Sequence, residues 1–196
     1  MMQTQETSFE NYPTLTTLPA VNERITADNS SRLYKLQPNA NGIYQSLEAM
    51  AACVRGEIAP DHAGFDNSKV CQKLQDILLT DWSNSPEMAV FNFCQDQIVF
   101  VLHPSEMQIV QDALVTIEQG SGDCVSKSVL LATLLTAACV PVWFVSQNVD
   151  GHEFSHVYCE AVIDGQVMAL DASANYPAGW RQPLQPTGFE TTWLIF

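Results

Sequence analysis

From Cys124 to Ala138 the sequence reads as a helix with almost no polar face, because Val125, Val129, Leu130, Leu131, Leu134, Leu135 and Ala138 fall on all sides of it. A helix that is apolar all round must be buried, so the rest of the chain has to supply layers that enclose it. Gly120-Ser121-Gly122-Asp123 breaks the chain before this helix, Pro141 stops it, and Val142 to Val145 begins a strand. Two β-prone runs follow, Phe154 to Ile163 and Gln166 to Ser173, joined by Asp164-Gly165. A two-residue linker of that type predicts a tight β-hairpin.

Upstream, Ile43, Leu47, Met50 and Val54 recur at helical spacing before Gly56, and Val70, Leu74, Ile77 and Leu78 repeat the pattern with Asn67 or Ser68 as N-cap. Ser85-Pro86-Glu87 starts a third helix through Met88, Phe91 and Cys94. Ile98 to Leu102 is a β-prone run ended by His103-Pro104, and Ser105 to Gln119 holds no single period, so it reads as helix or irregular chain. Residues 1–40 are polar and predict an arm with one short strand at Arg32 to Leu36, leaving 41–196 as one domain.

Charge narrows the partners. The chain of 196 residues carries a net charge of -14, which repels phosphate backbones and anionic membrane surfaces, so neither nucleic acid nor membrane is an expected partner. Six basic and eight acidic residues lie up to residue 73, whereas Lys127 and Arg181 alone face fourteen acids after it. That imbalance serves solubility first, and it would also attract a cationic substrate. No run of 18 apolar residues exists and the N-terminus has no secretion-signal pattern, so a cytoplasmic location is expected, or a virion-associated one if phage-encoded. The six cysteines are scattered without Cys-x-x-Cys pairs or clustered histidines, which predicts neither a disulfide scaffold nor a metal site.

Cys124 differs from the other five by its place in the first turn of the buried helix. Unpaired N–H groups and the positive end of the helix dipole stabilise a thiolate there, and thiols in such places titrate at roughly 3.5–7.5 instead of about 8.5. The alternative for any single cysteine is a small buried hydrophobe. A nucleophilic thiol needs a base and a group to orient that base. If Ile163 pairs with Gln166 across the turn, Tyr158 lies opposite Asp171 and His156 opposite Ser173, so His156, Tyr158, Glu160, Ala169, Asp171 and Ser173 share a face. His156 and Asp171 are then diagonal neighbours within hydrogen-bonding reach. His62 and His103 sit beside proline-containing loops and read as surface residues, His152 as part of a loop before the strand, Glu160 as a solvated or edge carboxylate, and Asp123 as a helix cap.

Taken together, Gly122-Asp123-Cys124-x-x-Lys127-Ser128 with the leucines that follow, His156-Val157-Tyr158-x-Glu160, and Leu170-Asp171-Ala172-Ser173 resemble the three motif segments of the transglutaminase-like superfamily of papain-type cysteine enzymes, in its small bacterial or phage-borne form. The resemblance covers roughly residues 120–175. It implies an α+β fold in which N-terminal helices and a buried cysteine-bearing helix pack on an antiparallel sheet. It also implies Cys124 as nucleophile, His156 as general base and acid, and Asp171 as the orienting carboxylate, with no cofactor or metal. The implied reaction is acyl transfer through a thioester, with the backbone N–H of Cys124 and one side-chain donor stabilising the oxyanion; several glutamines and Trp82 are candidates for that donor. Water is the more abundant acceptor, so hydrolysis of a peptide, isopeptide or amide bond in a peptide or protein substrate is the first expectation. Transfer to an amine, as in protein cross-linking, and a structural or assembly role without turnover are the alternatives.

Overall fold

Apolar residues at helical spacing form helices here where caps support them, and β-prone runs form strands where a neighbour completes their hydrogen bonds. A computed structural model describes residues 24–25, 33–36, 42–56, 67–102, 108–149 and 155–196. In chain order these form β1 (Arg24–Ile25), β2 (Leu33–Leu36), α1 (Gly42–Arg55), α2 (Asn67–Thr80), α3 (Pro86–Asp96), β3 (Val99–Phe100) and β4 (Gln108–Gln111). There follow α4 (Ala113–Gln119), β5 (Ser121–Gly122), α5 (Cys124–Ala137), β6 (Val142–Asn148), β7 (His156–Ile163), β8 (Gln166–Leu170) and β9 (Phe189–Leu194). The chain has an α+β fold. His62, His103, His152, Ser105 and most of residues 1–40 lie outside the described residues.

α5 is the centre of the core. Every residue from Val125 to Leu135 is buried, and the helix is packed by α1, α2, α3 and α4 and by the sheet strands β6 and β7. From the sheet, Val142, Phe144, Val157, Cys159, Ala161, Ile163 and Leu170 join the same apolar cluster as the α5 leucines. Complete burial of a leucine side chain contributes about 1.5–3 kcal/mol, so the apolar perimeter of α5 is what ties the helices to the sheet.

The sheet runs in the order β8-β7-β6-β9, antiparallel throughout. Ile163 pairs with Gln166 as the sequence predicts, and the turn has positive φ at both Asp164 (51°) and Gly165 (75°), the backbone that suits the twist of a two-residue hairpin. β8 is shorter than expected: its ladder ends at the Cys159–Leu170 pair, so Asp171 and Ser173 stand beyond it. β9, which pairs with β6 from Trp143–Leu194 to Asn148–Phe189, is not anticipated by the sequence reading.

Other departures have local causes. Asp112 caps α4 by accepting from the Leu114 N–H at 2.8 Å, and Gly120 ends that helix at φ 64°; seven residues are too few to display a period, so the stretch left as helix or irregular divides into β4 and α4. β4 finds its partner in β2. Only Val99 and Phe100 of the expected Ile98–Leu102 strand are paired, and they run parallel to Ser121–Gly122. α3 starts as expected, with Ser85 accepting from the Met88 N–H at 3.4 Å and Pro86 at its first position.

Glu160 is not a solvated carboxylate. It is buried on the sheet face away from α5, where Arg181 Nη2 lies 2.5 Å from Oε1 and Trp143 Nε1 donates to Oε2 at 3.0 Å. The segment after Asp171 crosses that face, supplying Arg181 and the Gln182 carbonyl, which accepts from Gln147 Nε2 at 3.3 Å. A carboxylate on an edge strand would face water, but here a loop of high sequence separation covers it, a placement that strand alternation does not reveal.

Candidate active site

Cys124 is the first residue of α5, where the sequence expects it. Asp123 caps the helix, its Oδ1 accepting from both the N–H and the Oγ of Ser126 at 2.9 Å. The backbone N–H of Cys124 belongs to the opening turn, whose donors have no intrahelical acceptor. β5 delivers the chain into that turn so closely that a Cβ on Gly122 would stand 2.6 Å from Ser126 Cβ, so only glycine fits.

His156 opens β7, and Asp171 follows β8 by one residue. Although the ladder ends before Asp171, its Oδ2 lies 2.7 Å from His156 Nε2. Asp171 is itself fixed: Oδ1 accepts from Ser173 Oγ at 2.6 Å and from the Ser173 N–H at 3.0 Å. With Nε2 occupied by the carboxylate, Nδ1 is the ring nitrogen left to face the thiol, and Cys124 acts on the imidazole electrostatically. Both partners of the His156–Asp171 pair are largely withdrawn from water, at 13% and 7% side-chain exposure.

The charges follow this geometry. Burial by itself disfavours the imidazolium, but the hydrogen bond and charge of Asp171, together with the electrostatic influence of Cys124, outweigh it, raising His156 to about 9. Burial likewise works against the Asp171 carboxylate, and the bonds from His156 and Ser173 overcome it, holding Asp171 below the usual carboxylate range. The arrangement therefore keeps a protonated ring between a carboxylate and a sulfur across the neutral range.

Among the other thiols, burial pushes Cys94 up to about 12 and holds Cys159 well above the ordinary thiol value, so neither ionises readily. Cys53 is buried too, while Cys71 and Cys139 are more exposed than Cys124. Accessibility alone would thus favour Cys71 and Cys139 in any thiol reaction.

Sequence reasoning missed two residues that brace this region. Lys127, one turn along from Cys124, is almost wholly buried and donates its ammonium to the Ile98 carbonyl at 2.6 Å and the Gln95 carbonyl at 3.4 Å. Gln95 Nε2 in turn donates to the Ala174 carbonyl at 2.6 Å and the Tyr176 carbonyl at 2.8 Å, just past Asp171. The end of α3 thereby links the cysteine helix to the aspartate loop. A lysine as the sole charge in a buried helix is the one sequence signal that pointed to such a partner.

These engagements bear on the oxyanion donor. The Gln95 amide nitrogen is committed to two carbonyls, Gln111 Nε2 donates to Gln119 Oε1 at 2.5 Å, and Trp82 is 83% exposed. Gln97 lines a groove of about 380 Å³ between α2 and α3 that none of Cys124, His156 and Asp171 borders. Among the described residues no group of histidine, cysteine and carboxylate side chains has the arrangement of a metal site.

No family model matches the chain, and no curated protein matches it in sequence. Solved structures do resemble it. A putative protease from Parabacteroides distasonis superposes with a TM-score of 0.50 at 14% identity, over 67% of this chain and 26% of that one. What they share is the fold. A putative cysteine protease from Cytophaga hutchinsonii gives a TM-score of 0.40 at 16% identity, over 72% of this chain and 49% of that one. The chain thus spans about a quarter of the length of the first protein and about half of the second. No helix among the described residues is long and apolar enough to cross a membrane.

Proposed function

We propose that this protein is a cysteine-dependent hydrolase of the transglutaminase-like type, cleaving a peptide, isopeptide or amide bond with Cys124 as nucleophile, His156 as acid and base, and Asp171 as the orienting carboxylate. The observation that carries this reading is the imidazole of His156 held by Asp171 Oδ2 at 2.7 Å, with Cys124 at the start of α5 raising its pKa further. In this scheme the thiolate sulfur attacks the carbonyl carbon, and the carbonyl π electrons move to the oxygen, which the Cys124 N–H at the start of α5 stabilises. The imidazolium gives its proton to the departing amine as the C–N bond breaks, leaving a thioester and a neutral ring. Water then loses a proton to His156 as it attacks the thioester, and as the C–S bond breaks the acid leaves and the thiolate and imidazolium are restored. The fold likeness to a putative protease is compatible with this chemistry.

The experiment is alkylation of the folded protein by iodoacetamide, with each cysteine followed by peptide mapping. Cys124 is expected to react at least tenfold faster than Cys71 and Cys139 although both are more exposed, and His156→Ala is expected to abolish the preference. Rates that simply rank with exposure would overturn the proposal. Offering a lysine-like amine alongside water separates hydrolysis from transfer by the product formed. The acidic excess after residue 73 favours a cationic substrate, which predicts cleavage that slows as salt is raised.

A further inference from the structure

His156, Gln147 and Glu190 stand in one row across the sheet, because Gln147 pairs with His156 on one side and with Glu190 on the other. Cross-strand partners share a face, so the three side chains project from the same surface. The row lies at one end of the sheet: β7 begins at His156, β6 ends at Asn148 and β9 begins at Phe189. Two strand spacings, about 10 Å, separate Glu190 from the histidine. Asp171 holds the ring from the side of β8, and Glu190 stands on the other side of it.

Glu190 is exposed, yet it is fixed in place. Its Oε1 accepts from Gln147 Nε2 at 2.6 Å and from the Tyr158 hydroxyl at 3.2 Å, and both donors belong to buried residues. Neither donor is a cation. Arg181, on the segment that crosses this face, is paired with Glu160, and no described lysine or arginine forms an ion pair with Glu190. Gln147 adds a second acceptor. It is completely buried, and its Oε1 has no hydrogen-bond partner among the described residues. The charge of Glu190 and the oxygen of Gln147 thus stand side by side without a partner. A group that answers both must carry positive charge and N–H donors, which describes an ammonium or a guanidinium.

We propose that Glu190 is a specificity-determining residue that receives a lysine or arginine side chain of the substrate polypeptide close to the bond to be cleaved. The proposal rests on the proposed function, because the pairing register ties Glu190 to His156. A long cationic side chain together with one residue of extended chain covers the separation between them. The acidic excess after residue 73 thereby acquires one definite point of action.

The test compares N-(4-guanidinobutyl)iodoacetamide with its neutral isostere N-(4-ureidobutyl)iodoacetamide on the full chain, following alkylation of Cys124 by peptide mapping. Selectivity of plain iodoacetamide for Cys124 reports on the proposed function alone. Given that selectivity, the guanidinium reagent should react about three- to tenfold faster than the urea reagent. Glu190→Gln, which keeps an oxygen for Gln147 and Tyr158, should remove most of that ratio. Asp164→Asn, which removes an exposed acid at the far end of β7, should leave the ratio unchanged. On the unaltered protein, N-(2-guanidinoethyl)iodoacetamide should gain little over its urea counterpart, since its cation falls short of Glu190. Equal rates for the four-carbon pair, or a ratio that survives Glu190→Gln, would overturn the proposal. So would an equal loss on Asp164→Asn or an equal advantage for the two-carbon pair, either of which would trace the effect to the overall charge of the chain and not to Glu190.

Discussion

His156 Nε2 and Asp171 Oδ2 stand 2.7 Å apart although the β7–β8 ladder has already ended at the Cys159–Leu170 pair. Asp171 reaches the ring because Ser173 turns its carboxylate, not because strand pairing holds it there. Asp171→Asn keeps the shape but removes the charge that sustains the imidazolium. Alkylation of Cys124 by iodoacetamide near neutral pH is therefore expected to fall roughly 100-fold or more, with the loss recovered as pH is raised, because an alkaline medium ionises the thiol without help from the ring. An unchanged profile would show that Asp171 does not support the ring.

The same pair makes a stability prediction. His156 is raised from 6.5 to about 9, so its contribution is complete below pH 6.5 and is lost as pH rises through about 9. Asp171 is lowered from 3.8, so its contribution is present above that value and is lost as pH falls through its folded value. Both act together between about pH 4 and 6.5. The rise at His156 corresponds to roughly 3 kcal/mol. Urea unfolding of the protein and of His156→Gln should differ most at pH 5–6 and converge towards pH 10. A constant difference across that range would contradict the assignment.

Gly122→Ala places a methyl group 2.6 Å from Ser126 Cβ in the first turn of α5, where β5 cannot move without parting from β3. A loss of about 1–3 kcal/mol is expected in the urea midpoint, together with slower labelling of Cys124 because the turn that presents it shifts. Gly165→Ala tests a different property: nothing lies within 4 Å of its Cβ position, but φ is +75°, so the cost there is backbone strain, about 1 kcal/mol, with Cys124 labelling unaffected.

Gln95→Leu removes both bonds to the Ala174 and Tyr176 carbonyls while keeping the bulk of the side chain. The expected loss of stability is about 1–2 kcal/mol. Hydrogen exchange should rise in residues 171–176 more than in α5, because the brace ends in that loop. Uniform exchange across the protein would mean that Gln95 supports the core generally and not the aspartate loop.

α5 and the β7–β8 hairpin were legible in the sequence because their signals are local: an apolar perimeter between a glycine break and a proline, and Asp164-Gly165 between two β-prone runs. Cys124, His156 and Asp171 could be singled out for the same reason, one by helix position and two by strand register. β9, the parallel β3–β5 pair and the burial of Glu160 were not legible. Each depends on a partner far along the chain, whether Phe189–Leu194 on β6, Ser121–Gly122 beside Val99–Phe100, or Arg181 over Glu160.

The sequence by itself determined a buried helix that begins at a cysteine and an antiparallel hairpin region with a histidine and an aspartate on one face, since propensity, period and turn chemistry act over a few residues. Only the tertiary structure decided how these meet. The placement of Cys124 beside His156 and the bracing of the aspartate loop through Gln95 and Lys127 both depend on which distant surfaces exclude water together. That is a property of packing, which no short window of sequence contains.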